Sequence, residues 1–173
     1  LPTVAIHLYK HIPDGAGLGG GSSDATSVAK ILNSMFALGL SEEEIAVRVK
    51  RLGADCPFFA YNRPMAARGI GDLLEPVDVD LRGYTMIVVK PDVSVPTAAA
   101  YAGGTPRVPE TDVEKLVAKP VGQWKGLLVN DFEESIFPKH PELSAIKQSL
   151  YDAGAVYASM SGSGSALFAL YRK

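Results

Sequence analysis

An α+β fold is what the sequence predicts, on three observations. Amphipathic helical stretches and short apolar strand patterns are interspersed along the chain, and they do not follow a strict βαβ alternation. Of the 173 residues, 47% are hydrophobic and 21% charged, enough apolar surface to build a sizeable core. Turn signals rich in glycine and proline punctuate the periodic segments without forming a repeat.

In Val4–Tyr9, Val4, Ile6 and Leu8 alternate with Ala5, His7 and Tyr9, the pattern of a strand. A glycine stretch follows, and then Ala25, Val28, Ala29, Leu32, Met35 and Phe36 recur at the spacing of one helix face, closed by Gly39. Ser41 with Glu44 reads as a capping box opening a second helix, whose face is Ile45, Val49 and Leu52 and whose stop is Gly53. A hairpin is expected from Met65–Arg68 and Leu73–Val77 around Gly69-Ile70-Gly71-Asp72.

The acidic, polar stretch 78–83 is the best junction, giving domains 1–77 and 78–173. Tyr84–Lys90 reads as a buried strand, 91–96 as a loop, Thr97–Ala102 as a short helix and 103–109 as a linker. Thr111 with Glu114 suggests another capping box. Helices are expected over Leu127–Phe137 and from Pro141, a favourable first helical residue, to Ala153. The chain closes as strand, Ser161-Gly162-Ser163-Gly164-Ser165, strand. Its first residue is not Met, and strand patterns sit at both ends without evident partners, so it reads as a piece of a longer protein.

Charge and composition exclude several functions. Seventeen basic residues against 19 acidic ones give a formal charge of −2, with no field to draw nucleic acid or an anionic membrane. No apolar run approaches the roughly 18 residues that span a bilayer. The single Cys56 cannot pair within the chain, which favours a reducing, cytoplasmic setting. No histidine shares its segment, so it reads as a small apolar residue and not as a thiol nucleophile. His7, His11 and His140 lack metal-ligand spacing.

The chemistry is concentrated in Pro13-Asp14-Gly15-Ala16-Gly17-Leu18-Gly19-Gly20-Gly21-Ser22-Ser23. Each glycine costs about 0.5–1 kcal/mol relative to alanine, which argues against so many in an ordinary loop. What they offer is bare backbone N–H groups at the positive end of the helix that follows, a cradle for a phosphate. Gly15-x-Gly17-x-x-Gly20 satisfies the dinucleotide fingerprint, but the acidic residue wanted about 20 positions on would fall inside a helix. A Walker A loop needs a lysine that Gly21-Ser22-Ser23 lacks.

The stretch resembles instead, at every diagnostic position, the Pro-x-Gly-x-Gly-Leu-Gly-x-x-Ser-Ser loop of the GHMP kinases. The extra glycine in 18–25, together with Leu52–Phe59, Gly69–Asp72 and Pro91–Thr97, is similar to those members that phosphorylate the 2-hydroxyl of an alcohol bearing a cytidine diphosphate group, on the non-mevalonate route to isoprenoids. Met160–Ala166 resembles the family's third motif, and 103–125 is the least diagnostic region.

The resemblance implies a two-domain architecture, ribosomal protein S5 domain 2-like plus ferredoxin-like, incomplete at both ends. It assigns residues 13–23 to the ATP phosphates, and Ser23 also to Mg²⁺; Ser22 and Ser23 could equally be plain helix caps. Asp55 of Gly53-Ala54-Asp55 becomes the residue that accepts or orients the substrate hydroxyl proton; in so apolar a segment its carboxylate should need a partner or a raised pKa. Thr97 and Tyr101, one helical turn apart, fall where the family meets its cytidine-bearing substrate. Ser161–Ser165 reads as a second short anion nest or a plain tight turn; in the family this loop closes near the phosphates, and Gly162, Ser163 and Gly164 are given to the substrate. Tyr101 could also be a half-buried cover for a sheet. The family's N-terminal catalytic lysine has no counterpart in the sequence, so the chain alone is expected to be inactive. Another GHMP small-molecule kinase and a non-catalytic nucleotide-binding module are the alternative readings.

Overall fold

The computed structural model describes residues 2–12, 14–104 and 111–173. Pro13 and residues 105–110, which include 105–109 of the expected linker, lie outside them. Contacts divide the chain into two units. The first holds the residues up to Asp14 together with Gly19–Val77; the second holds Gly15–Leu18 together with Asp78–Lys173.

The first unit packs helices α1 (Gly20–Met35), α2 (Glu42–Val49) and α3 (Cys56–Tyr61) beside a hairpin of β1 (Met65–Arg68) and β2 (Leu73–Pro76). Ile45, Ala46, Val49, Cys56 and Ala60 form its core, and Ala25 and Ala29 of α1 lie against it. Helix α1 begins earlier than its apolar spacing suggests, with Gly19 as N-cap, so neither Ser22 nor Ser23 caps it. Its fully buried Thr26 donates to the Cys56 carbonyl at 2.9 Å and ties α1 to α3.

The capping box at Ser41 and Glu44 is present in both directions, at 3.2 and 2.9 Å. Ser41→Ala should therefore lower stability by about 1 kcal/mol in urea unfolding, with the slope of the transition unchanged. Leu52, expected on the buried face of α2, lies beyond its last turn and is 67% exposed.

The predicted strand at Val4–Tyr9 is not formed. The segment is exposed and pairs with no other strand among the described residues. Alternation marks a chain that could join a ladder; a strand exists only when a second chain segment supplies the hydrogen bonds.

The second unit is built on a three-stranded antiparallel sheet in the order β3 (Tyr84–Val89), β5 (Leu167–Arg172), β4 (Tyr157–Met160). Leu167 pairs with Met160, and Leu170 with Tyr157. Alternate residues face opposite ways. Accordingly Met160 and Leu167 join Val95, Ala100, Ile136 and Leu143 in one core, and Tyr157 and Leu170 join Val121 and Trp124 in another. The first core rests on α4 (Thr97–Gly103), α6 (Phe132–Ile136) and α7 (Pro141–Asp152). The second is sealed by the Trp124 ring, edge-on to Tyr157, whose hydroxyl donates to the Leu128 carbonyl at 3.0 Å; burial pushes that phenol up to about 12.

Three expectations are corrected in this unit. Strand β3 is an edge strand and not buried, with Met86, Ile87 and Val88 all about half exposed. Asp112, not Thr111, precedes helix α5 (Val113–Val117), so the second capping box does not form. The helix expected from Leu127 starts only at Phe132, because the Asn130 side chain captures the Phe132 N–H at 3.0 Å and the preceding residues turn on the Trp124 carbonyl. Among the described residues no helix is long and apolar enough to cross a membrane.

Candidate functional site

Gly15, Gly17 and Gly19 all have positive φ, near 70°, so the chain enters α1 by alternating into the left-handed region. Two of these positions are also closed to a side chain. A Cβ on Gly17 would lie 2.2 Å from the Ser161 carbonyl oxygen, and one on Gly19 would lie 2.9 Å from the Phe59 ring. Gly21 is different. It sits in ordinary helical backbone, and nothing within 4 Å would meet a Cβ there.

The first intrahelical bond of α1 runs from Ser23 N–H to the Gly19 carbonyl, which leaves the N–H groups of Gly20, Gly21 and Ser22 without an intrahelical acceptor. Lys10 stands beside this end. Its ammonium is 2.7 Å from Asp24 and 3.0 Å from Asp14, and those carboxylates hold it above the ordinary lysine range. Bare amides at a helix N-terminus, open space at Gly21 and an adjacent cation suit a phosphate group. Among the described residues no three acidic, histidine or cysteine groups converge on a metal position. A magnesium ion would fit here only with most of its ligands supplied by phosphates and water, its usual habit.

Asp55 lies in the same unit, at the N-cap of α3. Cys56, Pro57 and Ala60 anchor that helix in the core, while the Asp55 carboxylate is exposed and caps nothing. The apolar neighbours that suggested a constrained carboxylate do not bury it: the residues after it are turned inward by the helix, and Asp55 is turned out. A Gly53 Cβ would lie 3.8 Å from Ser22 Oγ, and a Gly71 Cβ 3.7 Å from Asp55 Oδ1. The 53–56 turn, the start of α1 and the 69–72 hairpin turn thus come together, and the hairpin turn is held by a 2.6 Å ion pair between Asp72 and Lys50.

The second unit brings together Ala16, Gly17 and the loop 161–166. Ser161 Oγ donates to the Gly17 carbonyl at 2.8 Å, and Ala166 N–H donates to the Ala16 carbonyl at 3.0 Å. Gly162 and Gly164 are left-handed, and a Gly162 Cβ would come 3.1 Å from the Gly17 carbonyl oxygen. Thr97 Oγ1 is 3.5 Å from Ser163 Oγ, at the outer limit of a hydrogen bond. Tyr101 is 67% exposed and stands edge-on to Phe132, 4.9 Å between ring centres. It lines a cavity of about 510 Å³ with Val129, Asn130, Phe132 and Gly162. It does not cover the sheet.

Lys10 and Asn130 are two residues at these sites that sequence reasoning passed over. Lys10 directly follows an apparent strand, Val4–Tyr9, and its place three residues before Pro13 puts a cation at the mouth of the glycine loop.

The model of the GHMP kinases N terminal domain matches residues 2–63, and that of the GHMP kinases C terminal domain matches residues 113–173. The chain belongs to the GHMP kinases. Kinases of this family use ATP. This GHMP kinase chain is 51% identical, over 97% of its length, to 4-diphosphocytidyl-2-C-methyl-D-erythritol kinase of Bacteroides thetaiotaomicron, of which it spans 61%. The enzyme of that name from Parabacteroides distasonis is 49% identical over the whole chain, which spans 64% of it. The crystal structure of a 4-(cytidine 5'-diphospho)-2C-methyl-D-erythritol kinase superposes with a TM-score of 0.78 at 34% identity, over 93% of this chain and 59% of that one. The chain thus spans less than two thirds of the length of these relatives.

Proposed function

We propose that this GHMP kinase chain carries the nucleotide loop and the acceptor-activating aspartate of an enzyme that transfers the γ-phosphoryl of ATP to the 2-hydroxyl of 4-diphosphocytidyl-2-C-methyl-D-erythritol, on the non-mevalonate route to isoprenoid precursors. The observation that carries this reading is Gly21. Neither backbone strain nor any neighbouring atom requires glycine there, yet it sits among free amides where a phosphate could approach the backbone. Relatives at about half identity along the whole chain support the choice of acceptor.

In this reading residues up to Val77 form the C-terminal part of the ATP-binding domain, and 78–173 are the ferredoxin-like C-terminal domain. Residues 13–23 take the ATP phosphates; Pro13 lies outside the described residues. The Asp55 carboxylate accepts the proton of the 2-hydroxyl as its oxygen attacks the γ-phosphorus and the bond to the bridging oxygen of ADP breaks. Tyr101 offers an exposed ring for cytosine, with Thr97, Gly162, Ser163 and Gly164 as polar contacts for the rest of the substrate. Mg²⁺, with the Ser23 hydroxyl among its ligands, would neutralise phosphate charge. The buried, free Cys56 suits a cytoplasmic enzyme. Neither nucleic acid nor membrane enters the reading.

Gly21→Val, in a full-length protein carrying this chain, tests it. The open space should leave the fold intact while the side chain stands in the path of the phosphates, raising the ATP KM about tenfold or more in an ADP-release assay. An unchanged ATP KM would overturn the phosphate assignment. A higher kcat/KM for a small alcohol without cytidine would favour another GHMP kinase activity, and nucleotide binding without ADP release from any alcohol would favour a non-catalytic module.

A further inference from the structure

Strand β4 is the outer strand of its sheet, so the backbone groups of Met160 that face away from β5 have no ladder partner. Two side chains beside the start of α6 take their place. Asn130 Nδ2 donates to the Met160 carbonyl at 2.9 Å, and Glu133 Oε1 accepts from the Met160 N–H at 2.8 Å while its other oxygen pairs with Lys147. The Asn130 amide does more than close the edge. Its second hydrogen reaches the Gly162 carbonyl at 2.8 Å, and its oxygen accepts from Phe132 N–H at 3.0 Å. One amide thus spends both donors on the 160–162 backbone and its acceptor on the first turn of α6.

That backbone is the segment whose next contacts are Ala16 and Gly17. Ser161 lies between the two carbonyls that Asn130 holds, and its hydroxyl is the one that donates to Gly17. We propose that Asn130 is a positioning residue for the nucleotide loop: by fixing the 160–162 peptides it sets where Ser161 holds the Gly17 carbonyl, and so the entry of the loop toward the phosphates. The proposal rests on the reading of residues 13–23 as the phosphate-binding segment.

Asn130→Asp is the sharp variant. It keeps the shape and the acceptor for Phe132 N–H, but it replaces both donors by an oxygen facing two carbonyls. Asn130→Ala is the second variant, Ser161→Ala removes the proposed relay, and Ser161→Thr keeps its hydroxyl. In a full-length protein carrying the chain, ADP release is measured against ATP and against the cytidyl alcohol, with melting temperature as a check on folding. The expected result is an ATP KM raised about tenfold in either Asn130 variant, a larger change than in kcat. Ser161→Thr should restore what Ser161→Ala loses, and Asn130→Asp with Ser161→Ala should be no worse than the larger single change. Additive effects, an unchanged ATP KM in a folded Asn130 variant, or failure of both Asn130 variants to fold would overturn the positioning role. If Gly21→Val also leaves the ATP KM unchanged, the phosphate assignment falls; if Gly21→Val raises it and the Asn130 variants do not, only the role of Asn130 falls.

Discussion

Asp55→Asn in a full-length protein carrying this chain should lower kcat by about 10²-fold or more and leave the ATP KM within about twofold. The substitution keeps the size of the side chain and removes its capacity to accept a proton. Structural damage should be small, because the carboxylate is exposed and caps no helix, while the residues that anchor α3 are its neighbours Cys56, Pro57 and Ala60. An amide cannot take the hydroxyl proton, so the loss should fall on turnover and not on nucleotide binding. A single-turnover measurement separates the two. A variant keeping more than half of normal turnover would return Asp55 to a purely structural role.

Gly17→Ala should cost about 3 kcal/mol or more of stability, read from urea unfolding. Two penalties combine: a φ of +71° that an L side chain rarely adopts, and a Cβ placed 2.2 Å from the Ser161 carbonyl oxygen and 2.8 Å from that of Gly164. Both obstacles are backbone, which cannot swing aside as a flexible side chain could. Gly15→Ala is the control. Its φ is nearly the same, +66°, but nothing within 4 Å meets the new atom, so only the conformational penalty of about 1 kcal/mol applies. Equal losses from the two variants would mean that the 161–164 loop does not close on Gly17.

What was legible in the sequence was mostly local. The Ser41–Glu44 capping box, the hairpin around 69–72, the helix from Pro141 and the closing strand pair each carry their signal within a few residues, and each is formed. The two strand misreadings share a cause. Val4–Tyr9 and Tyr84–Val89 have strand patterns, but pairing and burial depend on distant segments: the first finds no ladder among the described residues, and the second lies at a sheet edge. The reason for Gly17 lies 144 residues away, at Ser161. Asn130 was hidden for the same reason, since it reads as one polar residue inside an expected helix until β4 is placed beside it. The glycine loop could be found by its composition; what holds it could not.

The membership of Gly15–Leu18 in the second unit limits how this chain can be dissected. A cut after Val77 looks clean in the sequence, but a peptide running from Asp78 to Lys173 would lack four residues of its own packing. The Ser161 hydroxyl and the Ala166 N–H would then lose the acceptors they use here, the carbonyls of Gly17 and Ala16. Such a piece should be rescued in trans by a short synthetic peptide spanning residues 15–18, or in cis by grafting those residues onto its N-terminus through a flexible linker. A division that respects the packing must therefore treat this tetrapeptide as a strap, threaded through the first unit's sequence and owned by the second.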